Sequence, residues 1–187
     1  MGFFLGFIPN EQSNYEVRKV VGNLGRVFDG QNVNVRWVKP ETYHITLVYL
    51  GERLGIIKKM LLDLKLKKIV LKKFSVRLDK ANLGIQRSYK ELVYLSLLSG
   101  GDEIRDMLYQ LGLYGIRTKD YEIFIPHVTL GRVNKVVSDE EYKNLSLDVR
   151  NVNKDLKVND IRFDVKEIHL IESSEGSISV IKSYPLV

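Results

Sequence analysis

The 187-residue chain predicts an α+β fold built as two related lobes, and three observations carry that expectation. Runs rich in β-branched and apolar residues alternate with stretches whose apolar residues recur at helical spacing. The order strand, helix, strand is written twice. Each copy closes on the same pattern, His44-Ile45-Thr46-Leu47 and His127-Val128-Thr129-Leu130, 83 positions apart. The halves therefore read as pseudo-symmetric lobes, although identity between them is slight outside these tetrapeptides.

Met1 to Ile8 reads as the first strand. It lacks a basic leader and runs straight into Pro9 and a polar stretch, unlike a signal peptide, and Gly6 stands where a myristoylation motif needs Ser or Thr. Asn10 or Ser13 then caps a helix carrying Val17, Val20, Val21, Leu24, Val27 and Phe28, which stops at Asp29-Gly30. An extended piece from Val33 to Val38 meets Pro40, whose fixed φ makes a turn before the first motif strand, Tyr43 to Leu50. After Gly51, the residues Ile56, Ile57, Met60, Leu61 and Leu64 outline a second amphipathic helix. Its lysines, with those that follow (Lys58, Lys59, Lys65, Lys67, Lys68, Lys72 and Lys73), read either as a solvated face or as a landing patch for an RNA backbone.

Strand patterning returns from Phe74 to Leu83 and from Glu91 to Leu98, around a polar, basic loop from Asn82 to Lys90. Gly100-Gly101-Asp102 breaks the strand, Asp102 is a candidate cap, and Ile104, Leu108 and Leu111 mark a helix closed by Gly112. Ile123 to Val133 is the second motif strand. In the polar stretch Asn134 to Asp160, Asp139 to Leu147 suits a short helix. Two strands, Ile161 to Ser173 and Ser177 to Tyr184, close the chain around a Glu175-Gly176 turn.

A hydrophobic fraction of 44% is ample for a core, so residues 1–187 read as one bilobal domain. The net charge of +6 and a pI near 9.3 favour polyanionic partners. With no cysteine, disulfides, thiolate zinc sites and cysteine nucleophiles are all excluded, which fits a cytoplasmic protein. No apolar run approaches the ~20 residues that cross a membrane. The Lys- and Ile-rich composition suits a heat-adapted source.

The two motifs carry the chemistry. Side chains alternate faces along a strand, so His44 and Thr46 point one way while Ile45 and Leu47 point the other, and the second copy repeats this. A lone His-x-Thr is ordinarily a satisfied structural histidine. Here two of three histidines and two of four threonines share one spacing, each followed by Leu. Histidine titrates near 6.5, so one copy serves as a neutral base and another as a charged acid near neutral pH. With a hydroxyl donor beside each, two such strands across a cleft suit attack on a phosphodiester with expulsion of an alkoxide, without a metal or covalent nucleophile. His169 has no Thr two positions on and stays outside the pair.

These paired motifs resemble the 2H phosphoesterases, and within them the RNA 2′,3′-cyclic phosphodiesterases long labelled 2′-5′ RNA ligases. The resemblance runs nearly end to end. Phe3-Phe4-Leu5-Gly6-Phe7 resembles the opening strand, Trp37-Val38-Lys39-Pro40-Glu41 the entry to the first motif, and Leu50-Gly51-Glu52 its exit. Phe124, Pro126 and Arg132 frame the second motif, and Ile168 to Ser173 resembles the closing strand. Ile125 stands where many relatives carry Arg, Val48 where many carry Lys, and Gly84 to Ser88 where many have a Pro- and Arg-rich loop.

The resemblance implies two lobes of antiparallel sheet backed by helices, with the motifs lining a central cleft. It implies His127 as general base on water, His44 as general acid on the departing 3′ oxygen, and Thr46 and Thr129 as holders of phosphate oxygens. Arg132, and in the loop Arg87, stand as replacement contacts to the substrate phosphate, the alternative for Arg132 being a surface ion pair. RNA ending in a 2′,3′-cyclic phosphate, or a nucleotide, is the expected partner. No cofactor, metal or membrane is called for, and a monomer is expected. RNA ligation, action on small cyclic nucleotides or cyclic sugar phosphates, and binding without turnover remain as alternatives.

Overall fold

A computed structural model describes residues 2–85, 89–117, 124–134 and 138–187. Along these run β1 (Gly2–Phe7), α1 (Glu11–Gly30), β2 (Val35–Trp37), β3 (Ile45–Gly51), α2 (Ile56–Leu66), β4 (Phe74–Ile85), β5 (Tyr89–Ser99), α3 (Gly101–Leu113), β6 (His127–Val133), α4 (Asp139–Val152), β7 (Arg162–Val165), β8 (Glu167–Ser174) and β9 (Ser177–Pro185). One sheet has the order β3-β1-β8-β9 and the other β2-β6-β5-β4-β7, with every pairing antiparallel. The expected architecture, mixed α and β with two antiparallel sheets, is the one observed.

The two sheets match strand for strand except at β2. In each, the motif strand lies beside a strand that opens its half of the chain, β3 beside β1 and β6 beside β5. β2 pairs with the outer side of β6 and has no counterpart in the first sheet. Leu5, Phe7, Ile45 and Leu47 from one sheet and Val93, Leu95, Val128 and Leu130 from the other join one hydrophobic cluster. Helices α1 and α4 pack on each other and on β2 and β4, while α3 bridges β3 and β5.

Three expectations shift. The segment expected as one strand from Ile161 to Ser173 is two strands in different sheets. The buried residues are Ile161, Phe163 and Val165, then Ile168 and Leu170, so the alternation changes phase at Lys166. A strand cannot carry both phases on one face, and the chain crosses between the sheets there.

The second is α2. The expected apolar stripe of Ile56, Ile57, Met60, Leu61 and Leu64 is exposed, and Leu62 and Leu66 are buried instead. Lys59 stacks over Phe3 at 4.9 Å, and Asp63 binds Lys67 and Lys182. These contacts turn the Leu62–Leu66 edge inward, and part of the lysine cluster is thereby engaged within the molecule.

The third concerns boundaries. Asn10 caps α1, accepting from the Ser13 backbone N–H, while the Ser13 hydroxyl donates to Arg162 O. Gly100, not Asp102, caps α3; its φ of +90° and a Cβ position 2.9 Å from Ser75 O both demand glycine. Helix α4 runs on to Val152 because a Ser138–Glu141 capping box starts it and Val149 continues the buried edge begun by Leu145. It also packs along β4: Asn153 exchanges two 2.8 Å hydrogen bonds with the Ala81 backbone, and the Tyr142 hydroxyl donates to Leu83 O, covering edge groups beyond the reach of β7. The strands of the β4–β5 hairpin are longer than expected, reaching Ile85 and resuming at Tyr89.

Candidate active site

Both motif strands start later than their apolar runs do. A 3₁₀ turn at Pro40–Thr42 delivers the chain to His44, immediately before β3. Pro126, which has no N–H for a ladder, precedes His127 at the first position of β6. The alternation then holds: Ile45, Leu47, Val128 and Leu130 are buried, while His44, Thr46, His127 and Thr129 are half-buried on the other face.

Each motif strand also has a β-bulge at its leucine. Gly6 pairs with Thr46 and Leu5 with Val48, skipping Leu47; Tyr94 pairs with Thr129 and Val93 with Gly131, skipping Leu130. A bulge inverts the alternation beyond it. It brings Arg132 onto the face of His127 and Thr129, although its sequence spacing places it opposite.

The two histidines are held alike. His44 Nδ1 lies 2.7 Å from Thr42 O, and His127 Nδ1 lies 2.7 Å from Ile125 O. A carbonyl only accepts, so each Nδ1 carries the proton and each Nε2 is the nitrogen left outside that bond. The His44 ring lies on Phe4, with centroids 4.6 Å apart and planes tilted 30°; Tyr94 meets His127 at 5.4 Å, edge to face. Gly6 makes the first arrangement possible, since a Cβ there would sit 2.5 Å from Ile45 O and 3.2 Å from the Phe4 ring.

Burial lowers the pKa of both histidines below the ordinary 6.5, the carbonyl bond opposing it in each case; the nearby His127 lowers His44 further and Arg132 lowers His127. Without an anion between them, both rings are biased toward the neutral form.

His44, Thr129 and Arg132 line one cleft of about 560 Å³, together with Arg36, Trp37, Lys39 and the β8–β9 hairpin tip around Gly176. His127 lies within electrostatic reach of His44, and Thr46 faces the same side of its sheet, but neither is among the walls of this cleft. Arg132 donates to Glu91 at 2.9 Å, the ion pair expected as its alternative role, and also lines the cleft. Arg87 lies outside the described residues. His169 donates to or accepts from Ser183 Oγ at 2.9 Å, across Gly6 from Thr46.

Several neighbours escape a reading of spacing alone. Phe4, Tyr94, Arg36 and Lys39 are brought in by strand register and by the turn at Pro40. A polar strip also flanks His127: Ser96 is its cross-strand partner, donating to Asp79 at 3.2 Å and accepting from Asn82 at 3.1 Å. Among the described residues no three His, Cys, Asp or Glu side chains gather as a metal-binding group, and no helix is long and apolar enough to cross a membrane.

Comparison with known proteins gives a partial family match and a shared fold. Residues 12–93 match the family model described as LigT like Phosphoesterase. The fold is similar to that of E. coli LigT complexed with 3′-AMP, with a TM-score of 0.65 and 17% identity over 99% of this chain and 96% of that one. It is similar to TT0787 of Thermus thermophilus, with a TM-score of 0.64 and 18% identity over 100% and 98%. Usb1 of Kluyveromyces marxianus shares it at 0.59 and 14% over 99% and 97%. No curated protein matches by sequence. In the family model matched by residues 12–93 and in its two-sheet fold, the chain is similar to the LigT-like phosphoesterases.

Proposed function

We propose that this protein is an RNA 2′,3′-cyclic phosphodiesterase that opens a terminal cyclic phosphate to a 2′-phosphate by two-histidine acid–base catalysis. The observation that supports it best is the matched pair of Nδ1–carbonyl bonds at His44 and His127, which leaves two Nε2 atoms of fixed tautomer for proton transfer. In this reading His127 Nε2 takes a proton from water as its oxygen bonds to phosphorus. The bond from phosphorus to O3′ breaks, and His44 Nε2–H gives its proton to that oxygen. Thr46 and Thr129 hydroxyls donate to the two non-bridging oxygens, where charge builds up. Binding an anion beside His44 offsets the burial that lowers its pKa, and so charges the acid when substrate is present.

The crystallisation of E. coli LigT with 3′-AMP, NADP+ and ATP supports a nucleotide as occupant of such a cleft. We take the bilobal unit of residues 1–187 to act as a monomer in the cytoplasm, without a metal. The test is an RNA oligomer ending in a 2′,3′-cyclic phosphate, incubated in chelator, with the 2′- and 3′-phosphate products resolved. The expected product is 2′-phosphate alone. Formation of 3′-phosphate would reverse the assigned leaving oxygen, a requirement for added metal would contradict the mechanism, and a joined product with 5′-hydroxyl RNA would favour ligation.

A further inference from the structure

The two sheets match except at β2, and β2 brings a charge arrangement that folding alone disfavours. Arg36 stands directly opposite Arg132 in the β2–β6 ladder. Like charges at directly opposed strand positions destabilise a sheet. Arg132 is compensated by Glu91. The side chains of Arg36, and of Lys39 just beyond the strand, have no hydrogen-bond or ion-pair partner among the described residues, yet both line the cleft that contains His44 and Thr129. The cleft wall thus has three cations, Arg36, Lys39 and Arg132, and one acid, Glu175 at the hairpin tip.

A single reacting phosphate does not account for all three. Thr129 and Arg132 belong to β6, while Arg36 is one strand further out, about 4.8 Å in the pairing direction. We infer that Arg36 and Lys39 form a second anion subsite, which holds the phosphate on the 5′ side of the terminal nucleotide while the cyclic phosphate sits at the histidines. The inference rests on the cyclic phosphodiesterase reading of the cleft. It makes the substrate class an oligonucleotide, or a nucleotide phosphorylated at its 5′ oxygen, rather than a bare nucleoside cyclic phosphate. The uncompensated arginine is then retained because the substrate supplies its counter-charge.

The experiment compares kcat/KM for adenosine 2′,3′-cyclic phosphate with a 5′-hydroxyl, the same compound with a 5′-phosphate, and a dinucleotide ending in the cyclic phosphate. Charge-assisted contacts of this kind correspond to roughly a tenfold or greater preference for the last two, expressed in KM. In Arg36→Gln/Lys39→Gln that preference ratio falls to near one, and the slope of log affinity against log salt for the dinucleotide shrinks. A preference shared by both phosphorylated substrates marks a site for any 5′-phosphate; one confined to the dinucleotide marks a site for the diester linkage. A wild-type ratio near one, or a variant that loses all three substrates equally, overturns the subsite.

Binding of adenosine 2′-phosphate with and without a 5′-phosphate, measured by calorimetry on the same two proteins, keeps the test independent of turnover. If no cyclic phosphate is hydrolysed, the catalytic reading fails while the binding ratio still decides the subsite. Thermal melting supplies a second readout. Arg36→Gln is expected to melt at or above the wild-type temperature in low salt, because it removes an opposed like charge; a clear loss of stability would assign Arg36 a structural role and contradict the inference.

Discussion

In each motif the imidazole and the carbonyl two residues before it form one unit, and its titration is a readable consequence. Burial pushes His44 and His127 below 6.5, and it pushes His169 the same way with Glu167 opposing. A group with a lowered folded pKa binds fewer protons folded than unfolded. Its stability contribution is therefore fully present above pH 6.5 and is lost as pH falls through the folded value. The protein is expected to lose stability on acidification below 6.5, with a shallower loss in His44→Gln/His127→Gln. Ring-proton NMR, assigned with single variants, should show both motif histidines titrating below 6.5 in the free protein and at least one moving upward when adenosine 2′-phosphate binds. Values at or above 6.5 in the free protein would contradict the described environment.

At the scale of elements, α2 separates pattern from packing most sharply. Periodicity selects Leu61, which is 52% exposed, over Leu62, which is 6% exposed. Leu62→Ala should therefore cost about 2–4 kcal/mol in denaturant unfolding, as large-to-small core substitutions do, and Leu61→Ala less than about 0.5 kcal/mol. The reverse order would place the helix with its other edge inward. Both stripes of α2 are apolar at helical spacing, so sequence alone could not choose between them; Lys59 on Phe3 and Asp63 on Lys182 decide it through tertiary contact. The break at Lys166 is different in kind, because the phase change from Phe163 and Val165 to Ile168 and Leu170 is written in the residues. Reading the closing segment as one strand overlooked it.

Across the whole molecule, duplication explains what was legible. The order of elements, the two lobes and the facing of both His-Thr pairs follow from motifs that recur with the same alternation, and the observed sheets agree. What stayed hidden depends on register. The bulges at Leu47 and Leu130, the second of which turns Arg132 to the cleft, are one-residue slips that no propensity marks. The packing of Phe4 against His44 and of Tyr94 against His127, and the meeting of Arg36 with Arg132, join residues far apart in the chain.

On the proposed mechanism, two symmetric histidines act on one phosphodiester from opposite sides. The most direct measurement is the turnover of RNA 2′,3′-cyclic phosphate by His44→Ala and by His127→Ala, each checked for a native melting profile. The expected loss is about 10²–10⁴-fold for each. Near-normal turnover by either folded variant would contradict the account.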